Sequence, residues 1–262
     1  MHSTTFRAYL GHWCGSYVKA LADIDLFRMS AVLTEEQQRL YVAAFQTFRG
    51  HFFETVLLPT VRLAKQSSVP FNYRQRILQG VADTMRDELG LDTEASLSHD
   101  ELYQQFANAV GEDGDAALWD YESQPMAIRL YNRTLHRYLT SCIGGGWSDV
   151  IRGLTVYLFL ERIDEFDYGT QLEFASRFSS IRRLEPSERA RALEFYSVHA
   201  ALMDQHFESM PDILDEVWEE HEREIREASK FLIGTHLRMY LGLSEHILAS
   251  TGRARSNAAV CL

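Results

Sequence analysis

Proline is scarce, five in 262 residues, so long helices can run without interruption. Cysteine is scarcer: Cys14, Cys142 and Cys261 are odd in number, far apart and without a CxxC pair, which argues against a disulfide framework or a thiolate metal site. That usage fits a reducing cytoplasm. Long apolar runs are missing as well. The longest, Leu154 to Leu160, falls far short of the ~20 residues that span a bilayer. The N-terminal MHSTTFRAYLGHWCGSY has no basic region leading into an apolar stretch, so neither export nor membrane insertion is expected. Basic residues are outnumbered, 26 Lys and Arg against 37 Asp and Glu, a net charge of -11 without a Lys/Arg cluster. Nucleic acid and anionic membranes are therefore disfavoured as partners, because phosphates reward clustered cations. The expected ligand is a small molecule.

Apolar residues at 46% and aromatics at 12% suffice for a substantial core and argue against disorder. No Pro/Gly/Ser-rich linker divides the chain, so one domain over 1–262 is expected. Sustained period-2 alternation is absent while helix signals recur, which makes the class all-α. Thr34 with Gln37 forms a capping box, and Leu40, Ala44, Phe48 and Phe52 continue at helical spacing, predicting a helix over 34–66. A second helix is predicted over 72–89, stopped by Gly90, and a third opens on the Ser98/Glu101 box and ends near Gly111. Further helices are expected at 123–142, 147–166, 168–180, 187–209 and 211–250, the last broken near Gly234. Gly144-Gly145-Gly146 reads as a loop, since it lacks GxGxxG spacing and follows no strand. The run EVWEEHEREIRE at 216–227 reads as a solvated helix surface.

Helical bundles build metal sites by pointing carboxylates and imidazoles inward from several helices, and iron accepts such oxygen and nitrogen ligands. Glu54 sits among Phe52, Phe53, Val56, Leu57 and Leu58, a costly place for a carboxylate unless a cation meets it or the helix end reaches solvent. Glu88 closes one predicted helix and His99 opens the next, so a short loop can bring them together; capping and exposure are the alternative. Glu161 interrupts GLTVYLFLERI and needs an ion pair or a metal to offset desolvation, with Glu165 one turn on as its competitor. His199 and His206 are seven residues apart, two helical turns, and share a face with Phe195, Leu202 and Met203. Asp204, five residues past His199, points away from that face unless a bulge turns it inward. Arg133, His136 and Arg137, in YNRTLHRYLT, either flank the pocket and receive a carboxylate or form a basic surface turn.

Taken together, these residues resemble the haem oxygenase-like diiron oxidases over about residues 40–210. Glu54 precedes Glu88 by 34 positions, a spacing typical of that superfamily. RDELGLDTEASLSHDELYQQF looks like its Glu, Gly-loop, His-xx-Leu element, and LERIDEFDYG like the next, with Glu161 as bridging carboxylate followed by Tyr168-Gly169. FYSVHAALMDQH is similar to the final His-xxx-Asp-xx-His element but departs from it, because Met203 occupies the aspartate position and Asp204 comes one residue later.

The resemblance implies a haem oxygenase-like bundle of about seven or more helices holding two irons per chain, with Glu54, Glu88, His99, Glu161, His199, Asp204 and His206 as ligands and the second iron labile. It further implies dioxygen activation and oxidation of a small free amino acid or derivative by desaturation, cyclisation or C–C cleavage, as in natural-product biosynthesis. N-oxygenation and oxidative decarboxylation of a fatty acid are alternatives on the same site. A homodimer is a common assembly for such a fold. Two other classes stay open: a metal-free, thiaminase-like enzyme with Cys142 as nucleophile, and a non-catalytic helical protein.

Overall fold

A computed structural model of the chain describes residues 5–91, 97–111, 124–201 and 209–259, which form helices and no strand. The first helix, α1 (Phe6–Ala22), starts at Thr5, whose hydroxyl accepts the Ala8 amide at 3.3 Å. It was not expected from sequence. Gly11 and Gly15 each lower intrinsic propensity by about 1 kcal/mol, and burial of Phe6, Tyr9, Leu10, Cys14, Tyr17 and Leu21 along one stripe overrides that cost.

After the short α2 (Asp25–Arg28), the expected capping box opens α3 (Glu35–Gly50): the Thr34 amide donates to Gln37 Oε1 at 3.0 Å and the Gln37 amide to Thr34 Oγ1 at 3.2 Å. The segment predicted as one helix over 34–66 carries a π-helical turn, Phe53–Leu57, before α4 (Leu58–Ala64). Such turns in a helical segment are frequent at functional sites. Next come α5 (Phe71–Glu88) and α6 (His99–Val110), the latter with its Ser98/Glu101 box and with Gly111 left-handed at its end. Then α7 (Met126–Ser141) leads through the Gly144–Gly146 loop into α8 (Trp147–Ser176).

Two helices were expected, over 147–166 and 168–180, but α8 passes straight through Asp167 to Ser176, and only the short α9 (Ser179–Arg182) follows. A local boundary signal is too weak to break a helix whose Leu154 to Leu160 segment is buried throughout. The predicted 187–209 helix is divided into α10 (Pro186–Ala192) and α11 (Glu194–Ala201) at Leu193. The last stretch forms α12 (Ser209–Glu216) and α13 (Trp218–Ala259); it parts at Val217 and bends at His221 (φ -124°, ψ 20°), not at Gly234.

The long α8 is the axis of the bundle. Along it lie α13, α11 and α1, and α6 packs against α3 and α11. Where α13 crosses α7 the backbones come so close that a Cβ at Gly242 would meet Ala127 Cβ at 2.8 Å. Among the described residues no helix is long and apolar enough to cross a membrane. The arrangement gathers the end of α5, the start of α6 and the middle of α8 and α11 about one region.

Candidate metal centre

Glu88 and His99 meet because the loop between them is held tight at both ends. Gly90 turns the chain at φ +67°, so close to the Leu97–Ser98 backbone that a Cβ would lie 2.7 Å from the Leu97 carbonyl. Ser98 then caps α6 and starts it at His99. The result is a buried imidazole whose Nδ1 stands 3.2 Å from Glu88 Oε2 and 3.1 Å from Nε2 of His199 on α11.

Each histidine is oriented by its other nitrogen. His199 Nδ1 lies 2.6 Å from the Phe195 carbonyl, an acceptor only, so this nitrogen carries the proton and Nε2 presents a lone pair. His99 Nε2 lies 3.4 Å from Asp87 Oδ2. A carbonyl or carboxylate behind the imidazole is the usual support of a metal-ligating histidine. Asp87 was not anticipated from sequence; its signal was only its place beside Glu88 at a helix end.

Glu161, on α8, is half-buried with its Oε1 shielded from solvent. It shares a neighbour with Glu88. Burial, then the Glu161 charge and, more weakly, those of Glu88 and Asp83 hold the Tyr157 phenol well above its ordinary range, against the opposing hydrogen bond with Thr84 at 2.7 Å. Two turns on, Tyr168 lies against the His199 ring with centroids 4.1 Å apart, and Phe195 covers the same ring at 4.4 Å. Aromatic walls of this kind fix the imidazole plane.

Two atoms bound to one ion by ~2.1 Å bonds stand about 3.0 Å apart at right angles and 3.4 Å apart at the tetrahedral angle. The separations of 3.1 and 3.2 Å about His99 Nδ1 are therefore edges that a coordination shell would have. Oxygen and nitrogen donors suit iron or another borderline divalent metal. Among the described residues no group of three or more His, Cys, Asp or Glu side chains stands where it could hold a metal ion. Asp204 and His206, like the side chain of Glu165, lie outside the described residues.

Two groups of sequence candidates are exposed. Glu54 is exposed on the π turn, where Thr55, Val56 and Leu57 provide the buried face, and it makes no hydrogen bond or ion pair among the described residues. Arg133, His136 and Arg137 are exposed too. The packed face of α7 belongs to Ile128, Tyr131, Asn132, Leu135 and Leu139, so the basic group is a surface turn and not a pocket wall. The Cys142 thiol borders a different cleft of about 290 Å³, with Tyr138, Ser141, Asp149, Arg152 and Glu227. Burial and the Asp149 carboxylate raise its pKa, the reverse of nucleophile activation.

Among solved structures the chain is similar to a domain of unknown function from Shewanella denitrificans OS217 with a haem oxygenase-like fold; the TM-score is 0.65, identity is 13%, and the match covers 92% of this chain and 93% of that one. This chain has the haem oxygenase-like fold. No family model and no curated protein matches it. In haem oxygenase-like terms, the Glu88–His99–His199 cluster lies where α5, α6 and α11 converge beside the long central helix.

Proposed function

We propose that the protein is a non-haem iron oxidase, with Glu88, His99 and His199 as the core of its metal centre and Glu161 as the carboxylate contributed by the central helix. The observation that carries this reading is the pair of facing imidazole nitrogens at 3.1 Å, each ring braced from behind, beside a carboxylate at 3.2 Å. Asp204, His206 and Glu54 are the further ligands that the sequence resemblance implies for two irons. Bound iron would supply dioxygen activation.

The chain's own contribution is ligation and orientation. Asp87 steadies His99 through Nε2, and the Phe195 carbonyl keeps the His199 proton on Nδ1. Tyr168 and Phe195 pack on the half-buried His199 ring and fix its plane. The substrate is proposed to be a small free amino acid or derivative, oxidised by desaturation, cyclisation or C–C cleavage. Arg133 and Arg137 do not receive its carboxylate, since both face outward.

The deciding experiment is anaerobic titration of metal-free protein with ferrous iron, followed by exposure to dioxygen with and without candidate amino acids. Iron uptake that is lost in His99→Ala and His199→Ala, with an oxygen-dependent change in visible absorption, is the expected outcome. A wild-type chain that takes up no iron refutes the proposal and favours a non-catalytic helical protein.

A further inference from the structure

Hydrophobic burial cannot set the rotation of α8 about its own axis. Every residue from Leu154 to Leu160 is buried, so apolar burial alone distinguishes poorly between one setting and another. Yet the rotation decides whether Glu161 and Tyr168, seven residues apart and so on one face, look toward His199. Polar contacts must specify it.

Besides the Tyr157–Thr84 hydrogen bond, a group of buried polar contacts on this helix surrounds Asp167, about 120° around the helix from Glu161 at 100° per residue. Asp167 is 1% exposed. Its Oδ2 accepts from Tyr17 of α1 at 2.9 Å and from Tyr240 of α13 at 3.1 Å, and faces His236 Nε2 of α13 at 3.2 Å. The far side of that imidazole, Nδ1, lies 3.1 Å from the Tyr131 hydroxyl of α7. One turn on, Gln171 donates to Tyr240 at 3.0 Å and accepts from Tyr41 of α3 at 3.0 Å. Helices α1, α3, α7 and α13 thus grip α8 through one carboxylate and one amide. Asp167 Oδ1 is buried with no hydrogen-bond partner among the described residues, an arrangement that costs stability and whose best-attested use is to specify register.

We propose that Asp167 is a positioning residue: held by Tyr17, Tyr240 and His236, it fixes the rotational setting of α8 and so presents Tyr168 to His199 and Glu161 to the candidate metal centre. The metal part of this proposal rests on the function proposed above; the placement of Tyr168 does not.

The test uses Asp167→Asn, with Tyr17→Phe and Tyr240→Phe, each of which removes one donor and leaves the carboxylate. The first readout needs no metal. In histidine-labelled protein the His199 ring protons, assigned by their loss in His199→Ala, carry the ring-current shift of the stacked Tyr168. Asp167→Asn is expected to move that signal while the remote His12 and His246 signals stay, and the Phe variants to move it less. The second readout is ferrous iron binding, expected to weaken about ten-fold or more, the scale of a lost supporting contact behind a metal ligand.

A merely structural Asp167 would lower the melting temperature and leave the His199 signal in place, which overturns the proposal. If Asp167→Asn does not fold, the two Phe variants decide by the same criterion. If wild-type protein binds no iron, the proposed function falls, and the His199 signal alone still decides whether Asp167 positions Tyr168.

Discussion

Replacing Gly90 by Ala is the sharpest probe of how Glu88 is brought to His99. Two costs arise at this position. An alanine at φ +67° pays about 1–2 kcal/mol for the left-handed conformation. Its Cβ would also stand 2.7 Å from Leu97 C and O and 2.8 Å from Ser98 N, all backbone atoms that no rotamer change can move aside. Relief requires displacing the start of α6, and strain of this kind adds a similar amount, for a total of about 2–4 kcal/mol. At roughly 2–4 °C per kcal/mol, the melting temperature should fall by roughly 5–15 °C.

Gly111→Ala is the matched control. Its φ is +82° and nothing lies within 4 Å of a Cβ there, so only the conformational cost applies. Thermal unfolding of both variants, followed by circular dichroism in the presence of a chelator, separates the two terms. Equal destabilisation by the two substitutions would refute the close-approach argument. Ferrous iron titration adds a second comparison, in which Gly90→Ala should lose affinity and Gly111→Ala should keep it.

Three further outcomes follow from the geometry. Asp87→Asn should weaken iron binding about ten-fold, the lower end for a residue behind a histidine ligand because 3.4 Å is a long contact, and should shift stability by less than about 1 kcal/mol since the pair is partly exposed; equal affinity in competition with a metal-sensitive dye would exclude the contact. Cys142 should resist iodoacetamide at neutral pH in the native protein and react only as pH climbs past the ordinary thiol range, because burial raises its pKa; rapid labelling in a peptide map would revive the nucleophile reading. Burial also raises Tyr138, to about 12, and holds Tyr41, Tyr157 and Tyr196 well above the usual value of 10. A phenol whose folded pKa is raised contributes stability below pH 10 that is lost as pH rises through the folded value, so phenolate absorbance and unfolding should rise together above pH 10. Early, unfolding-independent ionisation of all twelve tyrosines would contradict this burial pattern.

What was legible in the sequence was whatever neighbouring residues decide among themselves. The Thr34 and Ser98 boxes and the glycines at 90 and 111 each act within a few residues, and the structure has all four as expected. The proximity of Glu88 and His99 was legible for the same reason, since a short loop joins them. The approach of His199 was not, because it depends on α11 packing across α6 and α8.

The misjudged positions are those where tertiary contact overrules local preference. The boundary drawn at Asp167 and the break expected near Gly234 both fall inside continuous helices whose burial outweighs the local signal. Arg133 and Arg137 looked like carboxylate binders, but the burial of Tyr131, Asn132 and Leu135 fixes the opposite result. Asp167 carried no signal at all, because nothing in the spacing of LERIDEFDYG sets this aspartate apart from an exposed one. Only the meeting of Tyr17, Tyr240 and His236, 150, 73 and 69 residues away in the chain, shows why a carboxylate stands there. An apolar central helix in a bundle with a polar site beside it needs some such anchor, since apolar burial alone leaves its rotation unspecified.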